Sequence, residues 1–209
     1  MTSLATHPNV DESQFIENAR QLAPKLAARA TDANAKRQLP QQTITDLQQA
    51  GFFRLIQPKH WGGFEVHPNT WFDVCIEIAQ GCPSTAWVLG VVGVHNWQLG
   101  LFPQKAQEDV WSQDSSVLIS SSYMPAGKVK RVEGGYEFSG RWGFSSGCDY
   151  CDWAFLGGFI PPAQEGKPPE MRTFLVPKED YRIDDTWFVS GLRATGSKDI
   201  VIDKCFVPE

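Results

Sequence analysis

Apolar residues recur every three to four positions through the first half of the chain and nearly every second position through much of the second half. In "ESQFIENARQLAPKLAARATDANAKR" (12–37), Phe15, Ile16, Ala19, Leu22, Leu26 and Ala30 form a helical stripe, with a kink expected at Pro24. "PQQTITDLQQAG" (40–51) carries Pro40 at its first turn and Gly51 just past its end, which is the punctuation of a helix. Two further helices are predicted at about 69–80 and 84–99, the latter opening at "CPST", and a fifth comes after Pro103 in "PQKAQEDVWSQ". No Gly- or Ser-rich linker separates them, so they are expected to pack as one bundle. Near residue 115 the period shortens. "SSVLISSSY" is strand-like, and "KVKRVEGGYEFSGRWGFSS" alternates around Gly134-Gly135 as a hairpin does. "DWAFLGGFI", "MRTFLVP", "TWFVSG" and "KDIVIDKCFVP" come next, broken by Gly and Pro. The pattern predicts an α+β chain: an all-α bundle over residues 1–114, then an antiparallel β-barrel or sandwich of about seven strands over 115–209. The closing "FVPE" reads as a strand exit rather than a domain end.

Composition narrows the function classes. The chain has 209 residues, 42% of them apolar and 21% charged, as expected of an ordinary globular protein. A net charge of −5 gives no electrostatic reason to expect nucleic acid or an anionic membrane. The longest apolar run, "AWVLGVVGV", is too short to span a bilayer. "MTSLATHPNV" lacks the basic and apolar regions of a signal peptide, so a cytoplasmic location is expected. Five cysteines without framework spacing read as reduced thiols, and eight tryptophans suit either a core or the wall of a flat ligand site.

The stretch "GRWGFSSGCDYC" (140–151) admits three chemistries. Gly143-Phe144-Ser145-Ser146-Gly147 matches the G-x-S-x-G of a hydrolase nucleophile, but that motif needs a helix after it and a later histidine. Here the residues after Ser146, "GCDYCDWAFLGGFIPP", are strand-like, and His7, His60, His67 and His95 all lie upstream. Cys148 and Cys151 have redox or zinc spacing but no second ligand pair, so two small semi-buried residues are expected and no metal. "GLRATGSK" (191–198) has P-loop glycine spacing, yet Ser197 and Lys198 are in the wrong order and a strand comes after them. Two readings survive for the serines, a ligand cradle or a solvated β-turn.

Four segments in order resemble one family. "AGFFRLIQPKHWGG" (50–63) and "GLRATGSKDIVIDKCFVPE" (191–209) are similar to motifs of the acyl-CoA dehydrogenase superfamily. "CPSTAWVLGVVGVHNW" and "GRWGFSSGCDYCDWAFLGG" resemble its monooxygenase branch, the oxygenase components of two-component flavin hydroxylases acting on phenols. The resemblance implies a flavin-dependent monooxygenase that takes reduced flavin, FMN first and FAD second, from a separate reductase. It would use O2 to hydroxylate a small aromatic substrate, as a homotetramer when full length. A C-terminal four-helix domain, which closes the flavin site in that family, would lie beyond residue 209. The resemblance places Ser146 against the flavin N5, with Phe144 and Ser145 beside it, and Ser121 on the flavin or substrate side of the pocket. It sets His95 against a phenolic hydroxyl, where a near-neutral imidazole suits proton transfer, whereas the residue type alone favours a core histidine. Trp87, Val91 and His95 fall at i, i+4 and i+8, so Trp87 is either a pocket wall or core packing. The dehydrogenases' "T-E-P-x-x-G-S-D" is replaced here by "SSSYMPAGKVK", which argues against acyl-CoA oxidation. A degenerate acyl-CoA dehydrogenase and a non-catalytic fragment stand as the alternatives. No dinucleotide fingerprint occurs in the sequence, in keeping with NAD(P)H use elsewhere.

Overall fold

The computed structural model describes residues 11–162, 164 and 166–209; the leader reading of "MTSLATHPNV", and His7 with it, lies outside the described residues. Among the described residues five α-helices come first: α1 (Glu12–Lys36), α2 (Gln41–Gln49), α3 (Pro68–Gly81), α4 (Pro83–Leu99) and α5 (Gln104–Trp111). Asp11 caps α1 by accepting from the Ser13 backbone N–H, and Arg37 ends it in the left-handed region at φ 56°. Pro24 sits inside α1, which runs through it without a break, so the expected kink does not divide the helix. Pro40 stands one position before α2 as its N-cap rather than in its first turn. Pro83, by contrast, lies within the first turn of α4, where its missing N–H costs nothing.

α4 carries apolar residues on every side, yet only part of its circumference is buried. Val88, Leu89, Val92, His95, Asn96 and Leu99 are buried, whereas Trp87 and Trp97 remain half-exposed. The bundle core gathers Leu26 of α1, Leu47 of α2, Phe52 and Leu55 of the turn after α2, Ile78 of α3 and Leu89 of α4, all at most 1% exposed.

Among the described residues six strands come after the helices: β1 (Ile119–Val132), β2 (Gly135–Ser145), β3 (Trp153–Ile160), β4 (Glu170–Pro177), β5 (Arg182–Asp184) and β6 (Lys198–Pro208). They form one sheet in the order β4-β3-β1-β2-β6-β5. Every pairing is antiparallel except β1 with β3, which is parallel. The expected hairpin is present, closed by Glu133 and by Gly134 at φ 77° between Val132 and Gly135. Two expectations change. "SSVLISSSY" and "KVKRV" join into the single strand β1, interrupted by a register shift between Ser122 and Gly127. "TWFVSG" is irregular, and the strand there is β5, a few residues earlier. Its apolar residues do not enter a core: Phe188 is 72% exposed beneath the Arg37 guanidinium, 3.9 Å from the ring centre.

The sheet does not close into a barrel, but it coils into a sandwich-like layer. On a flat sheet β2 and β4 would stand three strand spacings apart, about 14 Å. Instead Phe138 of β2 stacks on Phe174 of β4 with ring centres 4.3 Å apart. The coil encloses a second core that includes Phe138, Trp142, Leu156, Ile160, Val176 and Ile200. Gly127 permits it, since a Cβ there would lie 2.3 Å from the Phe138 ring.

Sheet and bundle share a seam. Leu99, Val110 and Trp111 from the helices pack with Ile119 and Phe155 from β1 and β3. Tyr150 donates its hydroxyl hydrogen to the Leu39 carbonyl. Arg37 reaches both carboxylate oxygens of Asp185 at 2.6 Å and the Trp187 carbonyl at 3.0 Å.

Candidate active site

The two serines singled out in the sequence end β2 against α4. β2 departs from strand geometry just before them: Phe144 takes φ 65°, and the β2–β6 register shifts between Trp142 and Ser145. Strict alternation is therefore lost, and Ser145 and Ser146 are both buried where successive strand residues would face opposite sides. Gly147 then turns at φ 71°, and a Cβ on it would lie 2.9 Å from Val88 Cγ1. That glycine lets the end of β2 press close to α4. The Trp87 indole N–H consequently reaches Ser146 Oγ at 3.0 Å.

Behind Ser146 lies a chain of hydroxyls. Ser146 Oγ is 2.7 Å from Ser197 Oγ, Ser197 Oγ is 2.7 Å from Thr195 Oγ1, and Thr195 donates to the Leu192 carbonyl at 3.0 Å. The 195–198 segment is held in place twice. The Gly147 N–H donates to the Thr195 carbonyl at 2.9 Å, and Lys198 pairs with Asp149 at 2.9 Å. Ser145, one residue earlier, is fully buried with its hydroxyl unpartnered among the described residues. Phe144 is 70% exposed and meets Trp187 edge-on, with ring centres 5.9 Å apart.

Two turns along α4, about 12 Å from Trp87 by helical rise, His95 is 1% exposed. Its Nδ1 lies against the Ile119 carbonyl, which can only accept, so Nδ1 carries the hydrogen and Nε2 is left with a lone pair. Burial pushes the imidazole down from 6.5 to about 4, and the hydrogen bond to Ile119 only partly opposes this. The near-neutral proton acceptor expected from the sequence is thus corrected. At pH 7 this side chain is a neutral, single-tautomer hydrogen-bond acceptor. Ser121 pairs in register with Phe155, and Tyr123 lies two residues on, so the three share one face of the sheet. The Phe155 and Tyr123 rings stand edge-on to His95 at 5.7 and 6.0 Å, which makes that face the His95 side.

The structure therefore brings His95 and Ser121 to one end of a shared wall and Trp87, Ser145 and Ser146 to the other. Trp87 is neither plain core packing nor a closed wall, being half-exposed with its N–H on Ser146. Cys148 and Cys151 are free and buried within and just after a short 3-10 turn. Burial pushes the Cys148 thiol up to about 12 and Cys151 well above the usual thiol range, so both are held neutral. Sequence reasoning missed Thr195 and Ser197, because the glycine spacing of "GLRATGSK" directs attention to phosphate binding alone. The available signal was two small hydroxyl residues flanking Gly196, much as Ser145 and Ser146 precede Gly147.

Comparison with known proteins agrees with the resemblance. The acyl-CoA dehydrogenase N-terminal domain matches residues 9–114. The flavin-dependent monooxygenase oxygenase subunit HsaA of Rhodococcus jostii (strain RHA1) is 49% identical over 187 residues, covering 90% of this chain and 48% of the relative. The FADH(2)-dependent resorcinol hydroxylase oxygenase component of Rhizobium sp. (strain MTP-10005) is 34% identical, covering 98% of this chain and 49% of the relative. The crystal structure of the HsaA monooxygenase from M. tuberculosis superposes with a TM-score of 0.91 at 43% identity, over 96% of this chain and 52% of that one. The chain spans about half the length of the curated relatives it matches. With fold, motifs and family model in agreement, the chain belongs to the acyl-CoA dehydrogenase family, and over about half their length it is similar to flavin-dependent monooxygenase oxygenase subunits.

Proposed function

We propose that this chain forms the flavin-facing and substrate-facing walls of the oxygenase component of a two-component monooxygenase that hydroxylates a phenol. The observation that carries the reading is His95: a buried neutral imidazole with its donor nitrogen engaged, its ring edge-on to Phe155 and Tyr123 on the sheet face they share with Ser121. A phenolic hydroxyl is the complementary donor, and accepting its hydrogen bond orients the ring and draws electron density toward the carbons beside the oxygen. The serine end fits a flavin ring edge. Ser145 holds a buried hydroxyl in want of a partner, Ser146 is wired in from behind, and Phe144 and Trp87 offer exposed aromatic surface. Bound reduced flavin, FMN or FAD, would supply the electrons for oxygen activation, with a separate reductase providing it and NAD(P)H spent there. The protein's share is to bind the two rings, hold the phenol's proton-bearing oxygen at Nε2 and exclude water.

Supplying the chain, completed with the C-terminal helical domain that the resemblance expects, with a flavin reductase, NADH, O2 and a monohydric phenol tests the proposal. The expected outcome is a catechol-type product that depends on the reductase and falls in His95→Asn. Oxidation of an acyl-CoA without any reductase would establish the dehydrogenase alternative instead.

A further inference from the structure

The hydroxyl chain behind Ser146 has a direction, set at its far end. The Leu192 carbonyl can only accept, so the Thr195 hydroxyl spends its single hydrogen there, at 3.0 Å. Thr195 must then accept from Ser197, and Ser197 from Ser146, each at 2.7 Å. The Ser146 hydrogen is thereby turned inward. Of its two acceptor positions, one is held by the Trp87 indole N–H at 3.0 Å. The other is what Ser146 can offer a ligand.

We propose that Thr195 and Ser197 are positioning residues that make Ser146 a hydrogen-bond acceptor toward the ligand, and that this polarity favours reduced over oxidised flavin. The proposal rests on the flavin reading above. Reduced isoalloxazine carries a hydrogen on N5 and can donate it to an acceptor; oxidised isoalloxazine has a bare nitrogen there and needs a donor. An inward-wired Ser146 satisfies the first and faces the second lone pair to lone pair. Burial gives the distinction weight. Ser146, Thr195 and Ser197 are 7, 2 and 4% exposed, so little water is at hand to mend a mismatched pair. The anchor of the chain is also rigid. Leu192 sits at φ 50°, and its carbonyl accepts from the Thr195 backbone N–H at 3.1 Å and the Trp187 indole at 3.3 Å besides the Thr195 hydroxyl. Removing that hydroxyl leaves the Leu192 carbonyl with two donors, so the polarity of the chain can be changed with little damage to the loop.

The test compares dissociation constants for dithionite-reduced and oxidised FMN, followed anaerobically by tryptophan fluorescence, in this chain completed with the C-terminal helical domain that the resemblance expects. The wild-type chain should bind the reduced form more tightly. In Thr195→Val, Ser197 is free to donate to Ser146, and the Ser146 hydrogen can turn outward to meet oxidised N5. The oxidised-to-reduced ratio of dissociation constants should therefore fall by about 3- to 10-fold, the weight of one hydrogen bond. Thr195→Ser keeps the hydroxyl and should keep the ratio. A ratio unchanged in Thr195→Val, an equal weakening of both forms, or a wild-type preference for oxidised flavin would overturn the proposal while leaving the flavin reading standing. Binding of neither form by the completed wild-type protein would remove the flavin reading, and the proposal with it.

Discussion

Replacing His95 with asparagine should change how stability responds to acid more than it changes stability at neutral pH. The folded imidazole titrates at about 4 and an unfolded one near 6.5. Between those values the unfolded chain takes up a proton that the folded chain resists. The contribution of His95 is thus fully present above pH 6.5 and is lost as the pH falls toward 4. At about 1.4 kcal/mol per decade the whole effect is about 3 kcal/mol, of which about 2.5 kcal/mol is gone by pH 4.5. Asparagine does not titrate, and its amide can keep the donor to the Ile119 carbonyl. It leaves a small void beside the Tyr123 and Phe155 rings, worth about 1–2 kcal/mol at pH 7.5. Urea unfolding followed by circular dichroism from pH 7.5 to 4.5 should give curves that converge and cross at about pH 5. Every other titrating group is common to both proteins and cancels in the difference. Parallel curves, or an NMR titration of His95 near 6.5 in the folded chain, would refute the argument that this imidazole is buried and neutral.

Other substitutions probe the serine end and the turn beyond it. Gly147→Ala should lower stability by about 2 kcal/mol or more in thermal melts, since it forces an L-residue to φ 71° and sets a methyl against Val88. Ser145→Ala should raise the stability of the free chain by about 1 kcal/mol by deleting a buried unpaired hydroxyl, yet weaken flavin binding; a loss of stability would mean the hydroxyl is already satisfied. With thiols pushed well above neutrality, Cys148 and Cys151 should be alkylated at pH 8 only as fast as the chain unfolds. Modification before any change in circular dichroism would show that the 148–151 turn opens on its own.

The helices were legible because their signals are local. The 3.6 period of α1, and the prolines that open α2, α4 and α5, act within a turn of where they stand. The hairpin at Gly134 was equally plain, since its positive φ belongs to one residue. The features that escaped the sequence depend on partners far away. "TWFVSG" has the composition of a strand, but Arg37, 150 positions before Trp187, holds the Trp187 carbonyl and covers Phe188. The parallel β1–β3 pairing and the coil that brings Phe138 to Phe174 likewise come from tertiary packing, which overrides local preference. At the site, the family resemblance pointed to His95 and the serine pair, whose residue types alone read as a core histidine and as either a ligand cradle or a turn. The depressed imidazole pKa and the loss of alternation at Phe144 needed the burial and the backbone angle. Thr195 and Ser197 acquire their meaning from Ser146, about 50 positions earlier in the chain.

The Arg37–Asp185 clamp carries a consequence for how the protein is made. Its two halves are 148 positions apart, so at a synthesis rate of about 5–20 residues per second the guanidinium waits roughly 7–30 s for its carboxylate. Over much of that interval α4 has been synthesised while Ile119, the Gly147 turn and the 195–198 segment are still missing or unfolded. A nascent chain in that state presents a helix that is apolar on every side, the kind of surface that chaperones bind and that aggregates when they do not. The wall that holds Ser146 is among the last parts to be assembled, because it closes only when β6 has emerged and paired. Slow translation through the β-strand half would lengthen this exposed period, and synonymous changes that delay residues 115–200 should lower the soluble yield of a protein whose sequence they leave untouched.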